Sequence, residues 1–314
     1  MKRSILNKVN MTSPLRYPGG KGLLASYFGA LMEENGLKGC KYFEPFAGGA
    51  GVALGLLSKG IASEIVLNDA DYHIYCFWKT VINNNQKFID WLNTVSLTMN
   101  EWKKQKEIYL NPSKYKVCEI AFSTFFLNRC NRSGIIAGAG PIGGYKQQGK
   151  WRLDARFNKI ALIKRILQIE SVKKNISIHN MNAIDFLKSR LPKGRGRKKV
   201  FAYCDPPYVS AGNKLYLNYF ENKDHRELAQ YLLRQKDLWW VVSYDDSPLI
   251  RGFYKSCQKW IFSLGYSLQS RNNGRELLIA PEHLRLPGKK AITSARCKLI
   301  KKINIPTKSM EVLV

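Results

Sequence analysis

Lys41–Asp69 reads KYFEPFAGGAGVALGLLSKGIASEIVLND, and this stretch decides the fold. Lys41 to Phe46 has the length and apolar content of a short buried strand. It runs into Ala47-Gly48-Gly49-Ala50-Gly51, where small residues permit a tight turn, and then into a small-residue helix, Val52 to Leu57. Glu64 to Leu67 reads as a second strand that ends at Asn68-Asp69. Strand, glycine turn, helix and strand open a doubly wound α/β sheet of the Rossmann-like kind. Glycines after a strand let the backbone approach a ligand closely, and the helix that follows offers free N–H groups. Asp69 lies 18 residues beyond Gly51, where an acid accepts hydrogen bonds from ribose hydroxyls. Taken alone, the unit fits a nicotinamide or flavin dinucleotide as well as S-adenosylmethionine.

Outward from this unit, Pro14 to Gly22 reads PLRYPGGKG, a shaped loop before a helical run from Leu23 to Glu34. Strands resume at Asn175 to His179, Val200 to Cys204 and Leu238 to Ser243, with a helix over roughly Asp224 to Arg234. The end has an antiparallel pattern: a strand near Trp260 to Ser267, a turn at Asn272-Asn273-Gly274, then Glu276 to Ala280. Between the strand groups lie helical patches (Ile74 to Ile82, Lys116 to Phe126, Lys159 to Ile169) around a glycine-rich loop, Ser133 to Gly149. The expected organisation is a sheet domain over 1–71 and 170–284, a mainly helical target-recognition lobe inserted over 72–169, and a basic C-terminal tail over 285–314. Lys193 to Lys199 (KGRGRKK) reads as a mobile basic connector, and Arg285 to Lys308 carries eight basic residues and no acid.

The chain has 314 residues, with 51 Lys and Arg against 23 Asp and Glu, a net charge of +28. An excess of this size points to a polyanionic partner, because each Lys or Arg near a phosphate releases condensed counterions. Hydrophobic residues make up 45%, enough for a sizeable core. The seven cysteines have no zinc-knuckle spacing and the four histidines form no H-E-x-x-H pattern, so no metal is expected. Met1 to Pro14 has no apolar core of a signal peptide, and no apolar run approaches the roughly 20 residues that span a bilayer. The expectation is a cytoplasmic protein with no membrane partner.

Asp205-Pro206-Pro207-Tyr208 follows the apolar strand Val200 to Cys204 and carries the chemistry. The lone pair of an adenine N6 amine is delocalised into the ring, so the amine is a poor nucleophile. Acceptors on its two hydrogens would pull the nitrogen toward tetrahedral geometry. Asp205 can supply one acceptor, and the Pro206 carbonyl, held rigid by the proline ring, the other. Tyr208 offers a face on which a flipped base can stack, a contact worth ~1–3 kcal/mol. Direct displacement at a sulfonium methyl needs no covalent enzyme intermediate, only placement and electrostatics.

In these motifs the chain resembles the Dam-like family of DNA adenine methyltransferases, of the alpha class and DPPY type. PLRYPGGKG is similar to the family's N-terminal cofactor motif, FEPFAGGAG to its glycine motif, LNDAD to its acidic motif and DPPY to its catalytic motif. FENKDHRELA, VVSYDDSPLIRGFY and GRELLIA resemble later family blocks, so the likeness spans nearly the whole chain. The resemblance implies S-adenosylmethionine as cofactor and methyl transfer to N6 of a flipped adenine in double-stranded DNA. It implies cofactor contacts at Tyr17, Lys21, Glu44, Phe46, Gly48, Gly49, Gly51, Asp69 and Asp205, with Lys21 also near DNA. Asp205, Pro206 and Tyr208 would hold the adenine. The family usually carries an acid after the strand NISIH; here the matching residue is Asn182, which can still accept through its side-chain oxygen. A cognate restriction endonuclease or a mobile-element setting would suit such an enzyme.

The inserted lobe sits where that family keeps its target-recognition region. Arg pairs with guanine, and Asn or Gln with adenine, in bidentate base contacts. Asn128, Arg129, Arg132, Lys146 and Gln147 are therefore the expected DNA contacts. IIAGAGPIGGYKQQGKW does not resemble the GATC-reading segment of the best-known members, so GATC is not expected. The rival readings are transfer to RNA adenine or another exocyclic amine, a basic DNA-binding protein with a decayed pocket, and a nicotinamide oxidoreductase, for which no hydride site is visible.

Overall fold

The computed structural model describes residues 11–16, 21–209, 220–264, 274–288 and 297–303. Its centre is an eight-stranded sheet in the order β3-β2-β1-β4-β5-β7-β6-β8. The strands are β1 (Cys40–Glu44), β2 (Ala62–Asn68), β3 (Ile176–His179), β4 (Val200–Cys204), β5 (Trp239–Asp245), β6 (Gln258–Leu264), β7 (Gly274–Ala280) and β8 (Cys297–Ile303). β1 to β5 run parallel to one another, while β7 is antiparallel to β5 and β6 to β7. β4 is buried at all five positions, as a central parallel strand covered on both faces must be.

The chain runs outward from β1 through β2 to β3 and then returns to β4 on the other side of β1. The carboxyl ends of β1 and β4 therefore flank the point where the strand order reverses, which is where open α/β sheets form a crevice. The glycine turn after β1 and the DPPY segment after β4 both lie there.

The described helices are α1 (Ala25–Glu34), α2 (Gly51–Ser58), α3 (Tyr72–Asn83), α4 (Asn85–Thr94), α5 (Met99–Leu110), α6 (Val117–Cys130), α7 (Lys159–Ser171), α8 (Ala183–Arg190), α9 (Asn222–Leu233) and α10 (Pro248–Phe253). Asp71 caps α3 by accepting from the His73 amide at 2.8 Å, and Asn158 caps α7 by accepting from Ala161 at 3.0 Å. α1 and α2 cross closely, because Gly55 presents no side chain to Ala25; a Cβ on Gly55 would lie 2.6 Å from that of Ala25.

Residues 72–169 do not build a core of their own. Phe77, Phe88, Phe122, Phe125 and Phe126 of α3, α4 and α6 belong to one hydrophobic cluster with Phe28 of α1, Tyr42 of β1 and Tyr203 of β4. The Trp78 indole of α3 donates to the Gly48 carbonyl at 2.9 Å and ties this helix to the glycine turn. The helices thus share the core of one sheet face, and the expected limits at 71/72 and 169/170 do not divide it.

The C-terminal expectation also changes. Part of the anticipated tail forms β8, paired antiparallel with β6, so the basic run closes the sheet edge. The expected connector at 193–199 contains a short 3-10 turn, Gly194–Lys199. The Asn272-Asn273 turn, Ser267 and most of the tail lie outside the described residues. Six described cysteines are free, and no helix among the described residues is long and apolar enough to cross a membrane.

The α1–α2 crossing gives a direct test. Gly55→Leu should overpack it and cost about 1–3 kcal/mol, lowering the thermal midpoint by several degrees. An unchanged melting curve by circular dichroism would show that the two helices are not held at this distance.

Candidate active site at the carboxyl end of the sheet

Each loop at this end is set by backbone-directed side chains. Asn68, fully buried at the end of β2, donates through Nδ2 to the Pro45 and Met181 carbonyls, both at 3.0 Å. Its Oδ1 accepts from the Met181 amide at 3.0 Å. One amide side chain therefore laces the loops after β1, β2 and β3. In the glycine turn, Gly48 (φ 44°) and Ala50 (φ 47°) both take the left-handed conformation. Gly51 lies so close to Gly22 that a Cβ would stand 3.0 Å from the Gly22 Cα.

Asp69 faces this turn. Its Oδ2 accepts from the Gly48 amide at 2.8 Å and its Oδ1 from the Asp71 amide at 2.9 Å. Desolvation, with the Asp71 carboxylate second, pushes its pKa up to about 7. Glu44, at the end of β1, is 4% exposed and its Oε2 has no hydrogen-bond partner. Burial, with Asp205 as the next cause, holds its carboxyl well above the usual carboxylate range.

Across the crevice, Asp205 accepts from the Ser243 hydroxyl at 2.5 Å, and Ser243 in turn hydrogen-bonds with the Tyr203 hydroxyl at 2.8 Å. Lys21, from the 3-10 turn Lys21–Leu24, is 5% exposed and reaches between the strands. Its ammonium lies 3.5 Å from Asp205 and 3.4 Å from Glu276 of β7. It also donates to the Tyr208 hydroxyl and stands 5.0 Å from the centre of that ring. Tyr208 donates to Glu276 at 2.6 Å. The phenol is thus fixed at its far end while its ring borders the crevice. The Val209 amide donates to Asp245 at 3.1 Å, which anchors the chain beyond the DPPY segment.

The structure brings together Lys21, Asp205 and Tyr208 on one side and Glu44, the glycine turn and Asp69 on the other. Phe46 stands beside them, its ring 5.5 Å from that of Phe220 in an edge-on arrangement. Pro206 is buried and Gly49 completes the turn. Tyr17 lies outside the described residues. Asn182 is the N-cap of α8, and its Oδ1 accepts from Ile184 at 2.9 Å and Asp185 at 3.4 Å. The oxygen expected to meet a cofactor amine is therefore engaged in holding a helix end. Ser243, Glu276 and Asn68 were not singled out from the sequence, although all three fall inside motifs it displays.

The helical region requires corrections. Asn128 is fully buried; its Oδ1 accepts from the Arg16 amide at 2.7 Å and its Nδ2 donates to the Arg16 and Gly134 carbonyls, both at 2.9 Å. Arg129 is 6% exposed and donates to the Pro14 carbonyl. Burial, and then Arg165 and Arg16 nearby, lower its pKa to about 9. Gln147 donates to the Ile142 and Gly144 carbonyls, both at 2.7 Å, and accepts from the Leu153 amide at 3.1 Å. Asn128 and Gln147 have their hydrogen-bonding capacity committed inside the protein, and Arg129 is buried against the Pro14 carbonyl, so all three brace loops rather than face a base. Arg132 and Lys146 are exposed. Tyr145 (67% exposed) and Trp151 (64%) stand out from the same loop, with Lys150 5.8 Å from the Trp151 ring centre.

Among the described residues no group of His, Cys, Asp or Glu could hold a metal ion. Asn128→Ala would strand the Arg16 amide and two carbonyls in the interior, at about 1–3 kcal/mol for each group left unsatisfied. It should lower stability by at least about 2 kcal/mol in urea unfolding and speed proteolysis near Arg16; wild-type behaviour in both would refute the brace.

Residues 17–266 match the family model for "D12 class N6 adenine-specific DNA methyltransferase". No curated protein sequence matches the chain. Among solved structures it is similar to a conserved hypothetical protein of Streptococcus pyogenes at 12% identity, over 82% of this chain and 96% of that one. The TM-score of 0.32 is too low for that likeness to carry an argument. On the family match, which spans most of its length and both sides of the crevice, the chain belongs to the D12 class of N6 adenine-specific DNA methyltransferases.

Proposed function

We propose that the crevice transfers a methyl group from S-adenosylmethionine to N6 of an adenine flipped out of double-stranded DNA, as in the Dam-like, DPPY-type enzymes. The observation that carries this reading is the joining of Lys21, Asp205 and Tyr208 opposite the glycine turn and Asp69, around the point where strand order reverses.

The residues present fit the cofactor. Glu44 offers a buried carboxyl oxygen with no hydrogen-bond partner, and a cationic group bound beside it would favour its ionised form. Asp69 offers a carboxylate beside the turn, suited to paired hydroxyls. The close approach of Gly22 and Gly51 keeps the wall between them free of side chains. When bound, S-adenosylmethionine supplies a methyl group made electrophilic by its sulfonium.

The chain's own groups act on the amine. Asp205 accepts one N6 hydrogen, and Ser243 holds the carboxylate in orientation. The Pro206 carbonyl accepts the other. Both contacts localise the nitrogen lone pair and stabilise the positive charge that grows on it. Lys21 offsets the Asp205 charge in the resting site and, through the Tyr208 hydroxyl, fixes the ring on which the base would stack. Asn182 would serve the cofactor only indirectly, by setting the α8 N-terminus. Arg132 and Lys146, with Tyr145 and Trp151 beside them, form the exposed face best suited to DNA, where the helices α3–α7 would act as the target-recognition region.

Two measurements test the reading. Asp205→Ala should reduce methyl transfer roughly 10²–10³-fold or more while leaving duplex binding within about threefold. Transfer at the wild-type rate would remove Asp205 from the mechanism. Because the resting Asp69 carboxyl titrates near 7 and ribose hydroxyls donate to its ionised form, cofactor binding should tighten as pH rises. The dissociation constant should fall about tenfold from pH 6 to pH 8. In Asp69→Asn the part of that pH dependence centred near 7 should vanish; a flat wild-type profile would refute the contact.

A further inference from the structure

The sheet separates charge between its two ends. The described residues that follow β1 to β5 (45–50, 69–71, 180–182, 205–209, 220–221 and 246–247) carry five acidic residues and no basic one. The loops that lead into the same strands carry eleven basic residues and one acid, Asp237. Lys38 precedes β1 and Lys59 precedes β2. Lys173 and Lys174 precede β3. Lys193, Arg195, Arg197, Lys198 and Lys199 precede β4, and Arg234 and Lys236 precede β5.

These loops are far apart in sequence and adjacent in space. The Gly39 amide donates to the Ile61 carbonyl at 2.7 Å, and the Asn175 side chain to the Ser63 carbonyl at 2.9 Å. Val200 pairs with Lys41, and Trp239 with Phe201. Arg285 joins the same end: its amide donates to Asn35 Oδ1 at 2.9 Å, and its carbonyl accepts from Asn35 Nδ2 at 2.6 Å. Lys38 and Lys173 are paired with the helix-end acids Glu33 (3.9 Å) and Glu170 (3.7 Å). Among the described residues, the five basic side chains before β4 make no ion pair with an acid.

We infer that this amino-terminal end of the sheet is a second binding surface, which holds another segment of duplex DNA without reading its sequence. Five neighbouring strands at about 4.8 Å spacing set the loops over about 19 Å, a length along which a duplex carries on the order of eleven phosphate charges. The surface cannot serve the duplex engaged at the crevice. A five-residue strand is about 17 Å long, so the body of the sheet separates these loops from the strand ends that border the crevice. None of the five loops contains an aromatic residue, and their apolar side chains Leu37, Ile61, Leu191 and Leu238 are buried. Among the described residues these loops offer no aromatic platform for stacking single-stranded bases, and their exposed side chains are mainly cations, with Asp237 the one acid within them, suited to a regular array of phosphates.

The test uses the full chain, without cofactor, so it can succeed or fail independently of the proposed methyl transfer. Protein bound to a bead-immobilised 40-base-pair duplex should capture a second, fluorescent 40-base-pair duplex. The quadruple variant K174Q/R195Q/K198Q/K199Q should capture at least tenfold less of it, while binding the first duplex within about threefold. R234Q/K236Q, on another loop, should weaken capture in the same direction and keeps the test open if the first variant does not fold. Wild-type protein that captures no second duplex, or variants that capture as much as wild type, would overturn the inference. So would variant-sensitive binding of single-stranded DNA or of phosphatidylserine vesicles in place of duplex.

Discussion

The site depends on one buried cation. Lys21 is nearly inaccessible, yet its ammonium meets Asp205 after β4, Glu276 of β7 and the hydroxyl of Tyr208. A charge removed from water is tolerable only when paired and hydrogen-bonded, and breaking such a pair costs about 3–5 kcal/mol. Without Lys21 the Glu276 and Asp205 carboxylates would face each other across the phenol. With it, three segments separated by 68 to 255 positions in the chain are drawn to one point. Glu276 acts at second hand: it touches the lysine and the tyrosine and so sets where the ring lies.

Much of this was legible from local pattern. The glycine turn and the DPPY segment each follow an apolar strand directly, so short-range composition was enough to place both at strand ends. The reversal of strand order between β1 and β4 then brought them together. Ser243 and Glu276 were not legible, because their roles exist only across the sheet, 38 residues from Asp205 and 68 from Tyr208. β8 was hidden for a related reason. A run of lysines interspersed with Leu and Ile reads as a solvated tail until β6 offers it a partner edge.

The misread residues of α6 show how composition misleads without periodicity. Asn128 and Arg129 have the chemistry of base contacts, but they occupy the last turn of a helix buried from Ile120 to Cys130. A helix apolar on every side is a core element, and its polar residues must satisfy interior partners. Here the partners are the backbone of Pro14 and Arg16, and Arg165 adds a bond to the Ser13 carbonyl at 3.0 Å. Gly134 completes the clasp; with φ +76° it lies so near Arg16 that a Cβ would meet the Arg16 carbonyl oxygen at 2.3 Å. The helical region therefore grips the chain five residues before Lys21.

The chemistry of the amine explains the sign of the charge around it. Localising a lone pair on nitrogen calls for acceptors, and offsetting a growing positive charge calls for carboxylates, so the carboxyl end of this sheet is rich in both. The same acids repel phosphates. Under the proposed function a duplex would be held there by cations outside the strand-end loops, and Arg132, Lys146 and Lys150 are exposed for that role. Each lysine added among the strand-end acids would lower the basicity of an acceptor the reaction needs. Phosphate binding and amine activation thus make opposite electrostatic demands, and under the proposed function the helical region would meet the first and the strand ends the second.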